Sequence, residues 1–180
     1  STSVVTTDQK VTCSITSGST CAITSPTIKA PSTTPTVVGW NTSASGTTST
    51  WNENTSKAVS SNATYYAITK KNAVTLRATA SGNNASLSGS TTPTCTLPEV
   101  YNGGTQASSC VVTMPTVTAP SATPTFIGWN RNSNGTTNDS SYNTTTNKLT
   151  LTNSNTGKTW YAITRSNAVT LTGKVNANNA

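Results

Sequence analysis

The sequence contains no histidine and only four acidic residues, Asp8, Glu53, Glu99 and Asp139. Without histidine there is no Ser-His or Cys-His pair to activate a nucleophile. The acids are isolated in sequence, so no carboxylate pair for glycoside hydrolysis is marked out. Charge of either sign is scarce, at 8% of residues, with eleven basic side chains giving a formal net charge of +7. Apart from Lys70-Lys71 the basic residues are scattered singly. Nucleic-acid binding would call for a clustered basic stripe with interleaved aromatics, so no nucleic-acid partner is expected. Weak attraction to anionic cell walls is the most that this charge implies. No apolar run is long enough to span a membrane as a helix. The first ten residues, STSVVTTDQK, lack the basic and apolar regions of a secretory signal. Nor does any stretch place apolar residues at i, i+3, i+4 and i+7 beyond one turn, so helix content should be low.

What is present is Ser and Thr, together roughly two-fifths of the chain, with four Trp and five Tyr spaced along it. Disordered chains carry few aromatics and high charge. Threonine is β-branched and suits a pleated, half-wet surface. An all-β or β-rich fold with a thin core is expected.

The chain repeats itself. TPTVVGWN from Thr34 returns as TPTFIGWN from Thr123, a shift of 89 that also carries Cys21 to Cys110, Pro26 to Pro115 and Gly46 to Gly135. Further on, TYYAITKKNAVTL from Thr64 returns as TWYAITRSNAVTL from Thr159, a shift of 95. The extra length falls in residues 140–156, where a loop would absorb it. Two tandem modules follow, over residues 1–72 and 73–167. Residues 168–180 align without gaps to Ala73–Ala85, the opening strand of the second module, so they read as the opening strand of a third unit or a strand donated to a neighbour. The first copy has no such strand before Cys13 unless SVVTT, from Ser3, serves.

A Pro-rich lead-in, apolar-x-Gly-Trp, a Gly-Thr turn and then Thr-aromatic-Tyr-Ala together resemble the Listeria–Bacteroides repeat, or internalin B-repeat. Val37, Gly39, Trp40, Gly46, Thr47, Thr64, Tyr66 and Ala67 match it in the first copy. Phe126, Gly128, Trp129, Gly135, Thr136, Thr159, Tyr161 and Ala162 match it in the second. Asn41 and Asn130 after the tryptophans, and the cysteine pairs, depart from the family pattern. The resemblance implies a β-grasp-like module used in tandem on bacterial surface proteins as spacer, stalk or adhesive element. An immunoglobulin-like sandwich is the alternative fold.

Gly39, Trp40, Tyr66, Gly128, Trp129 and Tyr161 are expected to form the core motif, each Trp as the largest contributor to a small core. Trp51 has no counterpart and is, with Tyr101, the candidate for an exposed ring contacting a ligand such as a host or cell-wall glycan. Cys13, Cys21, Cys95 and Cys110 allow three pairings; the repeat favours Cys13–Cys21 and Cys95–Cys110. Each such closure stabilises by ~2.5–3 kcal/mol on chain-entropy arguments, and disulfides imply an oxidising compartment. Spacing and the absence of histidine leave no zinc site, and no cofactor is expected. The longer second loop, with Glu99 and Tyr101, is the expected place for copy-specific binding. A Lys–Asn isopeptide bond near Glu53 and Lys57 is outweighed by the reading of both as solvated loop residues. Sequons at Asn41, Asn54, Asn62, Asn84, Asn134, Asn138 and Asn143 are candidate glycosylation sites, making a glycoprotein one expectation.

The functional expectation is therefore a non-catalytic stalk or adhesin repeat of a secreted or cell-surface bacterial protein, partnered by neighbouring repeats or copies of itself. An extracellular filament subunit joined head to tail by strand addition is the alternative, and a carbohydrate-binding module the second alternative.

Overall fold

The computed structural model describes residues 4–5, 10–16 and 18–173. Asp8 and residues 174–180 lie outside the described residues. The described residues are all β-structure, turns and irregular segments, with no helix. Val4–Val5 is β1, Cys21–Thr24 β2, Ile28–Lys29 β3, Thr36–Asn41 β4, Ser56–Val59 β5 and Tyr66–Lys71 β6. Val74–Arg77 is β7, Thr79–Ser81 β8, Ser86–Ser88 β9, Thr94–Leu97 β10 and Val100–Tyr101 β11. Ser109–Thr113 is β12, Thr116–Thr118 β13, Thr125–Asn130 β14, Tyr142–Asn143 β15, Lys148–Thr152 β16 and Thr159–Arg165 β17.

The chain divides into two compact units, Ser1–Thr75 with Thr96–Ser108, and Leu76–Cys95 with Ser109–Ala180. The boundary inside β7 lies within a few residues of the repeat boundary at 72/73. Assignment of Thr96–Ser108 to the first unit, however, has no signal in the repeat.

In the first unit β1 pairs with β3, β2 with β5, and β6 lies between β4 and β11. In the second, β9 pairs with β13, β16 lies between β12 and β15, and β17 lies between β14 and β8. The strands of the two units correspond. A shift of 82 carries Val5, paired with Ile28, to Leu87, paired with Val117, and carries Cys13 to Cys95. The Val4–Val5 strand is thus the counterpart of β9, not of the opening strand that the repeat leaves missing before Cys13. Residues 140–156, expected as a loop, instead hold β15 and β16, and the buried Tyr142 ring packs edge-on to Phe126 at 6.5 Å between centroids.

The repeated Gly-Trp pair has a geometric cause. Between Val37 and Gly39 the pairing of β4 with β6 slips by one residue, and β14 slips on β17 between Phe126 and Gly128. These are β-bulges, which place an extra residue on one strand and bend it. Gly39 and Gly128 have φ of +132° and +151°, where a side chain is strained. A Cβ would also run into Ser49 at Gly39 and into Asn138 at Gly128. The bend turns Trp40 and Trp129 inward, where both are buried.

Candidate functional site

The two cores differ in how they are closed. In the second unit β8 lies alongside β17 in a parallel pair, with Thr79 opposite Thr159, Ala80 opposite Trp160 and Ser81 opposite Tyr161. Leu76, Ala78 and Ala80, alternate residues along this stretch, are buried, as period-two strand geometry requires. Beneath them Trp129 and Trp160 are wholly enclosed.

The first unit has no counterpart of β8 on β6 among the described residues. In its place is an open groove, with a cavity of about 390 Å³ between the Lys10–Ile15 segment and Ser61, Asn62, Ala63 and Tyr65. A second cavity of about 180 Å³ reaches Trp40 and Trp51. The first unit's core cluster of Ile28, Trp40 and Trp51, with Ile23 and Tyr65 partly buried against it, is correspondingly thin. Val11 and Ile15 on the groove wall are exposed apolar side chains.

The expected disulfides are both present, Cys13–Cys21 and Cys95–Cys110. The loop closed by the second is occupied by its own protein rather than presented for binding. Its β11 pairs with β6, Val100 opposite Lys71 and Tyr101 opposite Lys70. Asn102 donates its amide to Ala44 O at 3.0 Å and Gly46 O at 3.2 Å, and accepts from the Thr69 N–H at 3.3 Å. Lys70 Nζ meets Glu99 at 3.4 Å, while the Tyr101 hydroxyl donates to the same carboxylate at 2.5 Å. That hydroxyl bond, followed by Lys70, holds the Glu99 carboxyl below its ordinary value and pushes the Tyr101 phenol up.

Trp51 is not an exposed ring: at 7% exposure it packs edge-on to Tyr65, 5.1 Å between centroids, and donates its indole N–H to Thr55 O at 3.0 Å. Tyr66 is not a core residue either, being 43% exposed. Successive strand residues face opposite sides, and Tyr65 and Trp160 take the inward side of their strands, leaving Tyr66 exposed and Tyr161 only half-buried. Glu53 accepts from the Ile28 N–H at 3.1 Å, while Lys57 reaches Thr50 O at 3.4 Å and lies over the Tyr65 ring. Their side chains thus go to separate partners. Of the sequons, Asn41 is buried and its amide donates to Thr48 O at 2.8 Å, and the Asn138 amide donates to Tyr142 O at 2.8 Å. Asn54, Asn62, Asn84, Asn134 and Asn143 are exposed. The described residues hold no cluster of three or more metal-ligating side chains.

Fold and groove together define a β-rich tandem-repeat protein in which one unit is closed by a strand and the other is open. Compared with protein-family models, with curated proteins and with solved structures, the chain matches none. No helix among the described residues is long and apolar enough to cross a membrane.

Proposed function

We propose that this chain is a structural, non-catalytic repeat protein of an extracellular or cell-surface assembly, in which neighbouring units are joined by shared β-strands. The observation that carries this reading is the open groove in the first unit where the second unit holds Leu76–Ser81. An edge that offers backbone groups beside a groove of mixed polar and apolar lining can take an added strand: main-chain hydrogen bonds supply affinity and side-chain pockets supply register. Two disulfides suit an oxidising compartment. The resemblance to internalin B-repeats supports a stalk or adhesin setting on a bacterial surface. Joining between chains is heterologous and does not close on itself, so it produces strings. The two rings considered for a sugar platform are engaged within the protein, Trp51 by burial and Tyr101 through Glu99.

Negative-stain electron microscopy of the full chain over a concentration series tests the reading. Strings that lengthen with concentration are expected. Particles that stay single at every concentration would sink it.

A further inference from the structure

Resting on that reading, the geometry points to the occupant of the first unit's groove: residues 169–175 of a second copy of this chain. They would lie parallel to Thr64–Tyr66, in the register that β8 takes on β17.

The first argument is one tetrapeptide in two environments. Ala73–Leu76 and Ala168–Leu171 are both AVTL. Leu76 is 1% exposed, whereas Leu171 is 90% exposed. Burying a leucine side chain is favourable, so the second copy of the segment leaves that stabilisation unclaimed.

The second argument is a hydrogen-bond template. In the second unit the Arg77 N–H donates to Thr156 Oγ1 at 2.9 Å, and the Arg77 carbonyl accepts from the Gly157 N–H at 2.7 Å. The Thr79 N–H donates to Lys158 O at 3.1 Å and the Ala78 N–H to Pro93 O at 3.0 Å. The repeat shift of 95 carries Thr156, Gly157 and Lys158 to Ser61, Asn62 and Ala63, and the shift of 82 carries Pro93 to Val11. All four line the open groove. Ser61 keeps the hydroxyl of Thr156, and the other three positions need only backbone. The Asn62 N–H and the Ala63 and Val11 carbonyls form no backbone hydrogen bond among the described residues. The partners that complete the set are Thr172, Gly173 and Lys174 of the incoming strand.

The third argument is size. Where Trp160 stands opposite Ala80 in the second unit, the same register sets Tyr65 opposite Val175. The smaller ring meets the larger aliphatic side chain, and volume-conserving exchange is what a close-packed interior tolerates best.

The test mixes two full-length variants, one carrying Thr64→Cys and the other Lys174→Cys, under mild oxidation. The inter-chain disulfide is read on a non-reducing gel. Its yield should exceed by at least about tenfold that of Thr64→Cys with Asn178→Cys, which is about 13 Å out of register at strand rise. Adding Leu171→Asp to the Lys174→Cys chain should cut the yield by a similar factor. That change cannot unfold the single chain, because Leu171 is exposed there. Equal yields from both cysteine pairs would mean unspecific association and overturn the inference. So would a disulfide that forms within a single chain carrying both Thr64→Cys and Lys174→Cys at every dilution, since the segment would then close its own groove. Strings without the register-specific cross-link overturn this inference and leave the proposed function standing. The cross-link in closed dimers without strings upholds the inference and rejects head-to-tail assembly. Absence of both rejects both.

Discussion

Trp160 and Ala80 stand opposite each other in the parallel pairing of β17 with β8, the indole wholly buried beneath a methyl group. A ring of that volume fits only because its partner is small. Ala80→Leu should therefore overpack the second unit and cost about 1–3 kcal/mol. Trp160→Ala should cost about 3–5 kcal/mol by opening a cavity. Denaturant unfolding followed by tryptophan fluorescence for the first variant, and by circular dichroism for the second, checks both.

The same substitution should have opposite consequences in the two AVTL segments. Leu76→Ala removes a buried side chain and should destabilise the second unit by about 2–5 kcal/mol. Leu171→Ala, at an exposed position, should leave the single chain within about 0.5 kcal/mol of the parent. Thermal unfolding at low protein concentration, where chains are separate, compares them directly. Equal losses would mean that Leu171 is buried in the isolated chain.

Gly39→Ala and Gly128→Ala should each destabilise the unit that holds them by more than about 1 kcal/mol, because both sit at a positive-φ bulge. Hydrogen exchange should show lost protection first in β4 and β6 for Gly39→Ala, and in β14 and β17 for Gly128→Ala. Unchanged protection would show that the bulge does not need glycine.

Asn102 joins the second cysteine loop to the rest of the first unit through three side-chain hydrogen bonds, and its φ is +54°. Asn102→Gly keeps the backbone permitted and removes only those bonds, for an expected loss of about 1–3 kcal/mol. Asn102→Ala adds the strain of a left-handed alanine and should lose more. If the two variants unfold at the same denaturant concentration, the backbone there is relaxed.

Burial pushes the Asp139 carboxyl up, but the Ser141 N–H and the Arg131 guanidinium outweigh it and hold the group below its ordinary value. A carboxylate depressed in the folded state contributes stability above its unfolded pKa and loses it as pH falls through the folded one. Asp139→Asn should thus lower stability at neutral pH and shrink the difference from the parent in acid. Denaturant midpoints from pH 7 down to about pH 2 would show the two curves converging. Parallel curves would mean that Asp139 is not linked to folding.

How much was legible beforehand follows from what each feature depends on. Turn chemistry, β-branched runs and the duplicated Gly-Trp motif are local, so the β-rich class and the correspondence of the units could be read residue by residue. The cysteine pairing was legible because the duplication sets one pair in each copy. Trp51 has no counterpart in the repeat and so reads as a surface addition, whereas its ring belongs to the buried core of the first unit. The docking of Thr96–Ser108 had no local signal, since Asn102 finds its partners 33, 56 and 58 residues away in sequence.

By itself the sequence determined that the chain is a tandem duplication of short strands, with a disulfide in each copy and a glycine wherever the Trp-bearing strand must bend. Only the tertiary structure decided in which of two identical AVTL segments the leucine is buried, which unit owns the second cysteine loop and where a groove stays open. The reason is that a strand carries its hydrogen-bonding groups and side-chain alternation wherever it goes, but its free energy depends on the partner beside it. Leu76 and Leu171 close the same AVTL tetrapeptide, yet the first is buried and the second exposed.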